Sequence, residues 1–412
     1  MNWPVAAGDG PPSLTLTEAA ELAVTGQPML DSLDARGRAA HESAIAARQL
    51  PDPKLNLGIA DLPIDTRDAF SFTRDSDTQI QVGVSQDFPR AAKRRLRGEL
   101  VEREASRLGA EHHLAERTIR RDAALAWVDL WRYERALGLT RNSLREVVTQ
   151  LKVAEIALKT GGATQAEYLS ARLEVNQLRD AVRGAKQSVA HAQNALSRWI
   201  GEAAFRPVSP DLTAMPPLPP LETVLDRVRS HPHLAGFEVQ VAQAQTSAEL
   251  AEAAYQADWG VALGYSHRPA FSEMVMLEVS VDLPFFTRNR QDRNFAAALA
   301  QKAAAESAVE NANRQLLSEA RLNHHDFARL GSRLRDYEIN ILPQGAARIE
   351  ATLAGWRAGR DRLREVLEAR RTALELRMAH LDLQTDLSKH FVQLSYLGAF
   401  DSESSMAEES HE

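Results

Sequence analysis

The sequence of 412 residues contains no cysteine, which excludes disulfides, thiolate zinc sites and cysteine nucleophiles. It also contains no run of roughly eighteen apolar residues, so no transmembrane helix is predicted. The opening residues, MNWPVAAGDGPPS, lack the apolar core of a signal peptide. The protein is therefore either cytoplasmic, or the sequence begins after a signal that has been removed.

The sequence also has no excess of basic residues. The net charge is −7 and basic residues alternate with acidic ones, which argues against nucleic acid as a partner. No Gly-rich phosphate loop is present, and no helix has the Glu-x-x-His pairs of di-iron bundles. We therefore predict no enzyme, no cofactor and no metal site. With 44% hydrophobic residues, the chain is able to bury a large core.

Proline is distributed very unevenly and divides the chain. Residues 90–206 contain none, whereas 207–220 (PVSPDLTAMPPLPP) contain six. Proline cannot donate a backbone hydrogen bond, so this cluster predicts a linker. We predict a first structural repeat over 1–206 and a second over 221–400. Residues 401–412, DSESSMAEESHE, are predicted to form a disordered acidic tail.

Matching segments recur in the same order in both halves. The pairs are QVGVSQDFP (81–89) with MLEVSVDLP (276–284), AALAWVDL (123–130) with ARLNHHDF (320–327), and TGGATQAEYLSA (160–171) with AGRDRLREVLEA (358–369). From Ala171 and from Ala369, seam positions then recur at alternating intervals of four and three, as in coiled coils. His380 and His390 occupy seam positions of the second copy, where we expect hydrogen bonds between helices. This agreement predicts an internal duplication.

Each half is predicted to contain a helix, two strands and a long helical hairpin, so the fold is mainly α with a small β part. The predicted strands are about 54–62, 78–88, 259–268 and 274–284. The hairpin turns are predicted at Gly161 and Gly359. The helical pattern from Arg90 to Lys159 reaches roughly 105 Å at 1.5 Å per residue. Pro343 is predicted to kink or break the corresponding helix.

The strands have the length and alternation of membrane-spanning barrel strands. In the fourth, Leu277 and Val279 lie on one face, and Glu278 and Ser280 on the other. Four strands cannot close around a lumen, and lipid does not tolerate open sheet edges. A membrane-spanning form therefore requires an oligomer, and three copies supply twelve strands.

In this duplicated plan the chain resembles the TolC family of outer-membrane efflux channels. Residues 50–95, with LPDPKLNLGIADLP and VSQDFPRAAKRR, resemble the heavy-metal branch, the CusC- and CzcC-like components of metal-exporting RND systems. The resemblance implies a homotrimer whose twelve-stranded outer-membrane β-barrel continues into a periplasmic α-barrel. It places the linker 207–220, together with residues near the C-terminus, in an equatorial belt around the middle of the tunnel. It also implies outer-membrane lipid, a periplasmic adaptor (membrane fusion protein) and an inner-membrane RND pump as partners.

By the same resemblance, the turns at Gly161 and Gly359 are the periplasmic tips, and their neighbours form a gate. The candidate gate residues are Trp356, Asp361, Glu365, Glu368 and Glu167. Asp361 stands where the archetypal drug exporter carries a basic residue, so the sequence departs from that salt bridge, although Arg360 and Arg362 flank the position. The alternative interpretation is that these acids only solvate a helix end.

Basic residues follow a proline at the end of the second strand of each repeat. The candidate membrane-boundary residues are Pro89, Arg90, Lys93, Arg94, Pro284 and Arg288. The alternative is an ordinary solvated helix start. Met274 and Met276 share one face of a strand, and we interpret them as lipid contacts.

The predicted function is export of heavy-metal cations from the periplasm to the exterior, through an outer-membrane channel that extends into the periplasm. A channel for drugs or secreted polypeptides is the first alternative. A soluble coiled-coil scaffold is the second, and it requires the missing signal peptide to be a native feature.

Overall fold

The computed structural model describes residues 13–210, 212 and 215–400. The first twelve residues, three linker positions and the predicted acidic tail 401–412 lie outside the described residues. The chain is mostly helical, with one small antiparallel sheet. No described helix carries an apolar stretch of the length and hydropathy needed to cross a membrane.

Both halves contain two short helices, two strands and a pair of long helices, in that order. The first half has α1 (Leu16–Val24), α2 (Pro28–Ala47), β1 (Lys54–Ala60), β2 (Gln79–Phe88), α3 (Ala91–Lys159) and α4 (Gln165–Ile200). The second half has α5 (Leu221–Val228), α6 (Pro232–Ala253), β3 (Trp259–His267), β4 (Met274–Val281), α7 (Gln291–Asp336), α8 (Leu342–Arg357) and α9 (Leu363–Tyr396). β4 ends at Val281 rather than at residue 284, although the Asp282 N–H still donates to the Asp258 carbonyl at 2.8 Å.

The chain divides into two compact units. The first contains the chain up to Leu30, His113–His231 and the chain from Asn313. The second contains Asp31–His112 and Pro232–Ala312. The hairpin turns belong to the first unit and the sheet to the second.

The first unit has a core around Trp127, which is fully buried. Its indole N–H donates to the carbonyl oxygen of Leu14 at 3.1 Å. Leu14 also forms a parallel bridge with Val208, at the start of the proline-rich linker. The buried indole has therefore found a hydrogen-bond partner, and the same contact fixes the chain segment before α1 beside the linker.

The predicted coiled-coil seam of α4 and α9 packs inward. Ala171, Val175 and Leu178 are buried together with Val366 and Leu367 of α9. The two seam histidines form the inter-helix hydrogen bonds that we expected. The His380 ring bonds the Glu338 carboxylate at 3.3 Å, and the His390 ring bonds the Asn323 side chain at 2.8 Å.

Pro343 does not end the second long helix. A π-helical turn, Tyr337–Ile341, precedes it, and Pro343 lies in the first turn of α8. Proline lacks the N–H that an α-helix requires and clashes with the preceding turn, and a wider π turn re-aims the backbone there. The predicted interruption therefore takes the form of a local change in helix type.

The sheet of the second unit has the order β1-β2-β3-β4, and all pairs are antiparallel. Its register aligns Leu55 with Val84, Val84 with Leu263, and Leu263 with Leu277, so one face is apolar across all four strands. The opposite face is polar or small, with Asn56 beside Gly83 and Gly83 beside Gly264.

The two methionines of β4 lie on the polar face. Met276 pairs with Gly264 and Met274 with Ser266, whereas Val275 and Leu277 occupy the apolar face. The interpretation of Met274 and Met276 as lipid contacts therefore does not fit a membrane face formed by the Leu277 row. Strand alternation, and not the apolar character of the side chain, decides which face a residue occupies.

Candidate functional site

The turn between α3 and α4 is built on Gly161, whose φ of +76° lies in the left-handed region. Its N–H donates to the Leu158 carbonyl at 3.3 Å, and the N–H of Gly162 donates to the Ala157 carbonyl at 2.7 Å. This pair of bonds is the Schellman motif, which satisfies helix-terminal carbonyls and requires a positive φ that glycine adopts without strain. The Gly-Gly sequence therefore explains where α3 ends.

The turn between α8 and α9 repeats this backbone arrangement. Gly359 has a φ of +72°, and its N–H donates to the Trp356 carbonyl at 3.0 Å. The N–H of Arg360 donates to the Gly355 carbonyl at 2.9 Å. Asp361 folds back onto this helix end, because a Cβ on Gly355 would lie only 1.8 Å from the Asp361 Oδ2. Gly355 therefore makes room for the Asp361 carboxylate.

Glu167 is engaged in a capping box at the start of α4. The Thr164 hydroxyl oxygen accepts from the Glu167 N–H at 3.2 Å, and the Thr164 N–H donates to Glu167 Oε2 at 2.8 Å. The Thr164 N–H and hydroxyl lower the pKa of Glu167, with further contributions from Arg362 and the Leu363 N–H. Glu167 thus interacts with both hairpins. The Thr-x-x-Glu spacing is a sequence signal for this role that the gate assignment did not use.

Glu365 is the counterpart of Glu167 in the second hairpin, but its setting differs. The residue before α9 is Arg362, which provides no side-chain cap, so no capping box forms. Among the described residues, none forms a hydrogen bond or ion pair with the Glu365 carboxylate. Of these two acids at equivalent helix positions, Glu365 is therefore the one whose carboxylate is available to interact with an ion or another chain.

The other two candidate gate residues contact neighbouring helices. Glu368 lies 3.9 Å from Arg348, and both side chains are more than half exposed, so this ion pair contributes little to stability. Trp356 is partly buried and packs on the cluster that includes Leu353 and Val366. The structure thus brings all five candidates to the two turns and their adjacent helices, but each has different partners.

Two ion pairs that the sequence did not reveal join the hairpins further along α9. Arg370 pairs with Glu146 of α3, and Arg371 pairs with Glu174 of α4. The side chains of Arg370 and Glu174 are each only 12% exposed, so one partner of each pair is shielded from solvent. No periodic pattern could predict them, because the partners are far apart in sequence.

In the second unit, the membrane-boundary candidate Lys93 lies at the start of α3. It is buried, and its ammonium donates to the Gln256 carbonyl at 2.7 Å and to Asp258 Oδ2 at 2.8 Å. The Arg90 N–H donates to Asp258 Oδ1 at 2.9 Å. Burial raises the pKa of Asp258, but the Lys93 and Arg90 hydrogen bonds outweigh it and the pKa is lowered. These contacts join the start of α3 to the start of β3.

The remaining boundary candidates are divided between internal contacts and the surface. Arg94 donates to the carbonyl of Arg48, just beyond α2, at 3.1 Å, and to the carbonyl of Pro89 at 3.3 Å. Pro89 directly follows β2. Arg288 lies in a short 3-10 turn after Pro284 and is exposed. Among these residues, Arg288 is the one whose side chain is most available to an external partner.

We compared the sequence and the fold of the chain with those of known proteins. No family model matches the chain. The chain is 23% identical over 373 residues to the cobalt-zinc-cadmium resistance protein CzcC of Cupriavidus metallidurans, covering 89% of this chain and 86% of CzcC. The crystal structure of CusC, described in terms of transmembrane channel formation, has a TM-score of 0.75 at 16% identity, over 93% of this chain and 92% of CusC.

The outer membrane protein VceC of Vibrio cholerae has a TM-score of 0.78 at 19% identity, over 93% of this chain and 96% of VceC. The resemblance to the TolC family is confirmed. The chain has the fold of the outer-membrane channels CusC and VceC.

The capping box makes the stability of the first hairpin depend on pH. The pKa of Glu167 is lower in the folded protein, so its stabilisation is complete above the ordinary value of 4.5 and is lost as pH falls through the lowered value. We expect Glu167→Gln to lower the thermal unfolding midpoint at pH 7. We expect this difference to shrink below about pH 4, as followed by circular dichroism.

Glu365→Gln is the matched control, because Glu365 occupies the same helical position without a capping partner. We expect this variant to show no such pH-dependent difference. Equal pH-dependent losses in the two variants would contradict the role assigned to the capping box.

Proposed function

We propose that the protein is the outer-membrane channel of a tripartite RND efflux system, which exports heavy-metal cations from the periplasm to the exterior. In this proposal three copies form the channel, with the sheets in the outer membrane and the long helices in the periplasm. A periplasmic adaptor and an inner-membrane RND pump complete the system. The observation that carries the proposal is the sheet, which has an exposed apolar face and two open edges.

The apolar face of the sheet is unsuited to water. Val275, Leu277 and Val279 are 73%, 69% and 62% exposed, and they continue the apolar rows of the other strands. Exposed apolar area costs about 25 cal/mol per Å² in water, and a continuous patch of this kind is typical of a lipid or protein contact. When lipid covers this face, the polar face, which contains Asn56 and Glu278, is directed toward a lumen.

The edges of the sheet support an oligomer. In the described chain, the outer edges of β1 and β4 pair with no other strand. Unpaired N–H and C=O groups are very costly in lipid, so β4 of one copy must pair with β1 of the next. Three copies of a four-stranded sheet give twelve strands, an even number that allows an antiparallel barrel to close.

The turns at Gly161 and Gly359 are proposed as the periplasmic end of the channel. Three-fold symmetry repeats the unpaired carboxylate of Glu365 and the weakly paired one of Glu368 around the axis. A ring of carboxylates attracts cations and repels anions. Glu167 contributes differently, because its capping box and its interaction with the start of α9 hold the two hairpins together at this end.

The cargo is proposed from chemistry and from the metal-branch resemblance. Carboxylates at a constriction favour positively charged cargo, and the similarity to CzcC extends over most of the chain. The channel itself needs no tight metal site, because energy and selectivity come from the pump.

The lipid-facing surface is tested by placing a charge on either side of β4. Leu277→Arg puts a guanidinium on the apolar face, which costs about 2–4 kcal/mol at the bilayer midplane. We expect a strong loss of folded protein from outer-membrane fractions. The neighbouring control, Glu278→Arg, places the same group on the polar face, and we expect near-normal amounts. Similar losses for both variants would contradict the barrel orientation.

The gate is tested with the double variant Glu365→Ala and Glu368→Ala. Removing these carboxylates removes the repulsion between them and also their attraction for cations. We therefore expect higher conductance or weaker cation selectivity in a planar bilayer. Glu375→Ala is the control, because Glu375 is exposed on α9 but lies further from the turn. If the double variant conducts like the control, these residues do not form the gate.

The cargo is tested by deleting the gene in its native host. We expect lower tolerance to at least one of copper, silver, zinc, cobalt and cadmium, restored by the intact gene. Unchanged tolerance to all five metals, together with greater sensitivity to drugs, would transfer the assignment to a drug channel.

A further inference from the structure

Two aromatic side chains mark one end of the apolar face of the sheet. Phe88, the last residue of β2, pairs with Trp259, the first residue of β3, and their ring centroids are 4.3 Å apart in a stacked arrangement. By strand alternation, Phe88 lies on the same face as Val84, and Trp259 on the same face as Leu263. Trp259 is 46% exposed, so this aromatic pair borders the surface that faces lipid in the proposed channel.

The apolar face also has an aromatic residue at its other end. Tyr265 lies on this face six positions after Trp259, about 20 Å along β3 at roughly 3.3 Å per residue. Aromatic residues at both borders of an apolar band of about 25 Å are typical of membrane-spanning strands. Phe285 and Phe286 follow β4 beyond Val281, which pairs with Trp259, and they are 75% and 91% exposed. The Trp259 end therefore has the composition of a border between acyl chains and headgroups.

An open cavity of about 470 Å³ adjoins this end of the sheet. It is lined by the residue after α2 and by residues in the first turns of α3: Arg48, Ala91, Arg94, Arg95 and Glu99. The Arg94 guanidinium donates through Nε to the carbonyl of Pro89, which directly follows Phe88. The cavity therefore begins next to the aromatic border, and its lining contains three guanidinium groups and one carboxylate.

Gly98 of α3 makes room for the Arg48 side chain to lie against that helix. A Cβ on Gly98 would be 2.1 Å from Arg48 Cγ and 2.6 Å from its Nε. The Arg94 guanidinium also donates to the Arg48 carbonyl at 3.1 Å. These contacts bring Arg48 and Arg94 to the same cavity. Arg48 lies outside the basic cluster that follows Pro89, so the sequence pattern did not indicate it.

The positive charge at the cavity is only partly neutralised. Arg95 pairs with Glu99 at 3.0 Å, whereas Arg48 lies 3.8 Å from Glu102 in a pair whose side chains are 50% and 40% exposed. In the part of the chain that the structure describes, no carboxylate pairs with Arg94, whose hydrogen bonds go to backbone carbonyls. Guanidinium groups bind phosphate through paired, charge-assisted hydrogen bonds, so this cavity suits a phosphate group.

We propose that this cavity binds the phosphate group of a glycerophospholipid. Arg48 and Arg94 donate to the non-bridging phosphate oxygens, and the acyl chains lie along the apolar face beyond Phe88 and Trp259. A lipid fits the site better than a soluble anion does, because the cavity continues into an apolar surface that a free phosphate would leave exposed to water. The inference rests on the proposed function, in which the sheet crosses the outer membrane and α3 begins on the periplasmic side.

The ligand is tested with the full-length protein, purified in detergent and titrated with dioleoylphosphatidylglycerol. Bound lipid is counted by native mass spectrometry. Dioleoylglycerol, which has the same acyl chains without phosphate, is the matched ligand control. We expect one phosphatidylglycerol site per chain, with an affinity about tenfold higher than that for dioleoylglycerol, because only the phosphate accepts charge-assisted hydrogen bonds. Inorganic phosphate at the same concentration should not displace the bound lipid.

The charge is tested with Arg48→Gln, which removes one guanidinium and keeps most of the side-chain stem. We expect the affinity for phosphatidylglycerol to fall about tenfold. Its control, Arg38→Gln, removes an exposed arginine about 15 Å earlier on α2 and should leave the affinity unchanged.

The position of Arg48 is tested without a change in charge. Gly98→Ala places a Cβ where the Arg48 stem lies, so we expect the affinity for phosphatidylglycerol to fall about fivefold. Gly109→Ala is the matched control, because Gly109 also lies in α3 and a Cβ there would meet no atom within 4 Å. This control should bind the lipid as the unchanged protein does.

The same unchanged preparation is tested for channels in a planar bilayer, which separates this inference from the proposed function. Channels with equal affinities for phosphatidylglycerol and dioleoylglycerol, or equal affinities in Arg48→Gln and Arg38→Gln, would overturn the lipid site and retain the channel. Displacement of the lipid by inorganic phosphate would assign the cavity to a soluble anion instead. A preparation that forms no channels would overturn the proposed function, and with it the membrane position on which this site depends.

Discussion

A strand at the edge of a sheet exposes a row of unpaired N–H and C=O groups, and in this chain both β1 and β4 do so. The rest of the structure depends on how these groups find partners. In lipid no water is available to satisfy them, so a four-stranded sheet with an apolar face can only persist if further copies complete it. The exposed apolar rows require lipid, and the open edges require a neighbouring strand. Lipid around the sheet is favourable only when the edges are paired.

The two halves share the backbone hydrogen bonds that end their helices and differ in the side chains around them. Both long hairpins turn through the same Schellman bonds at glycines with positive φ. In one hairpin the following helix starts with a Thr164–Glu167 capping box, and in the other it starts at Arg362 without a side-chain cap. The two halves thus share the geometry that terminates a helix, while the acids at the same helical position have different surroundings. This difference is the reason for assigning them different roles.

Features that follow from local chemistry were accessible from the sequence. Alternation located the strands, glycine located the hairpin turns, and the heptad spacing identified the residues that line the seam, including His380 and His390. The burial of Lys93 was missed because its partner Asp258 is 165 positions away, and nothing in the local pattern indicates it. The position of Met274 and Met276 on the face opposite Leu277 also follows from this alternation. The capping box at Thr164 was likewise present in the sequence.

The π turn before Pro343 also bears on how the two halves are compared. Matched positions of the halves differ by 197 residues at AALAWVDL and ARLNHHDF, but by 198 at the hairpin turns. One residue has therefore been added to the second copy between these points, and the π turn Tyr337–Ile341 lies within that interval. A helix that absorbs an added residue in this way keeps its heptad phase on both sides. The long helix thus differs in length between the halves without an added loop, and any residue-by-residue alignment of the halves must shift by one within this interval.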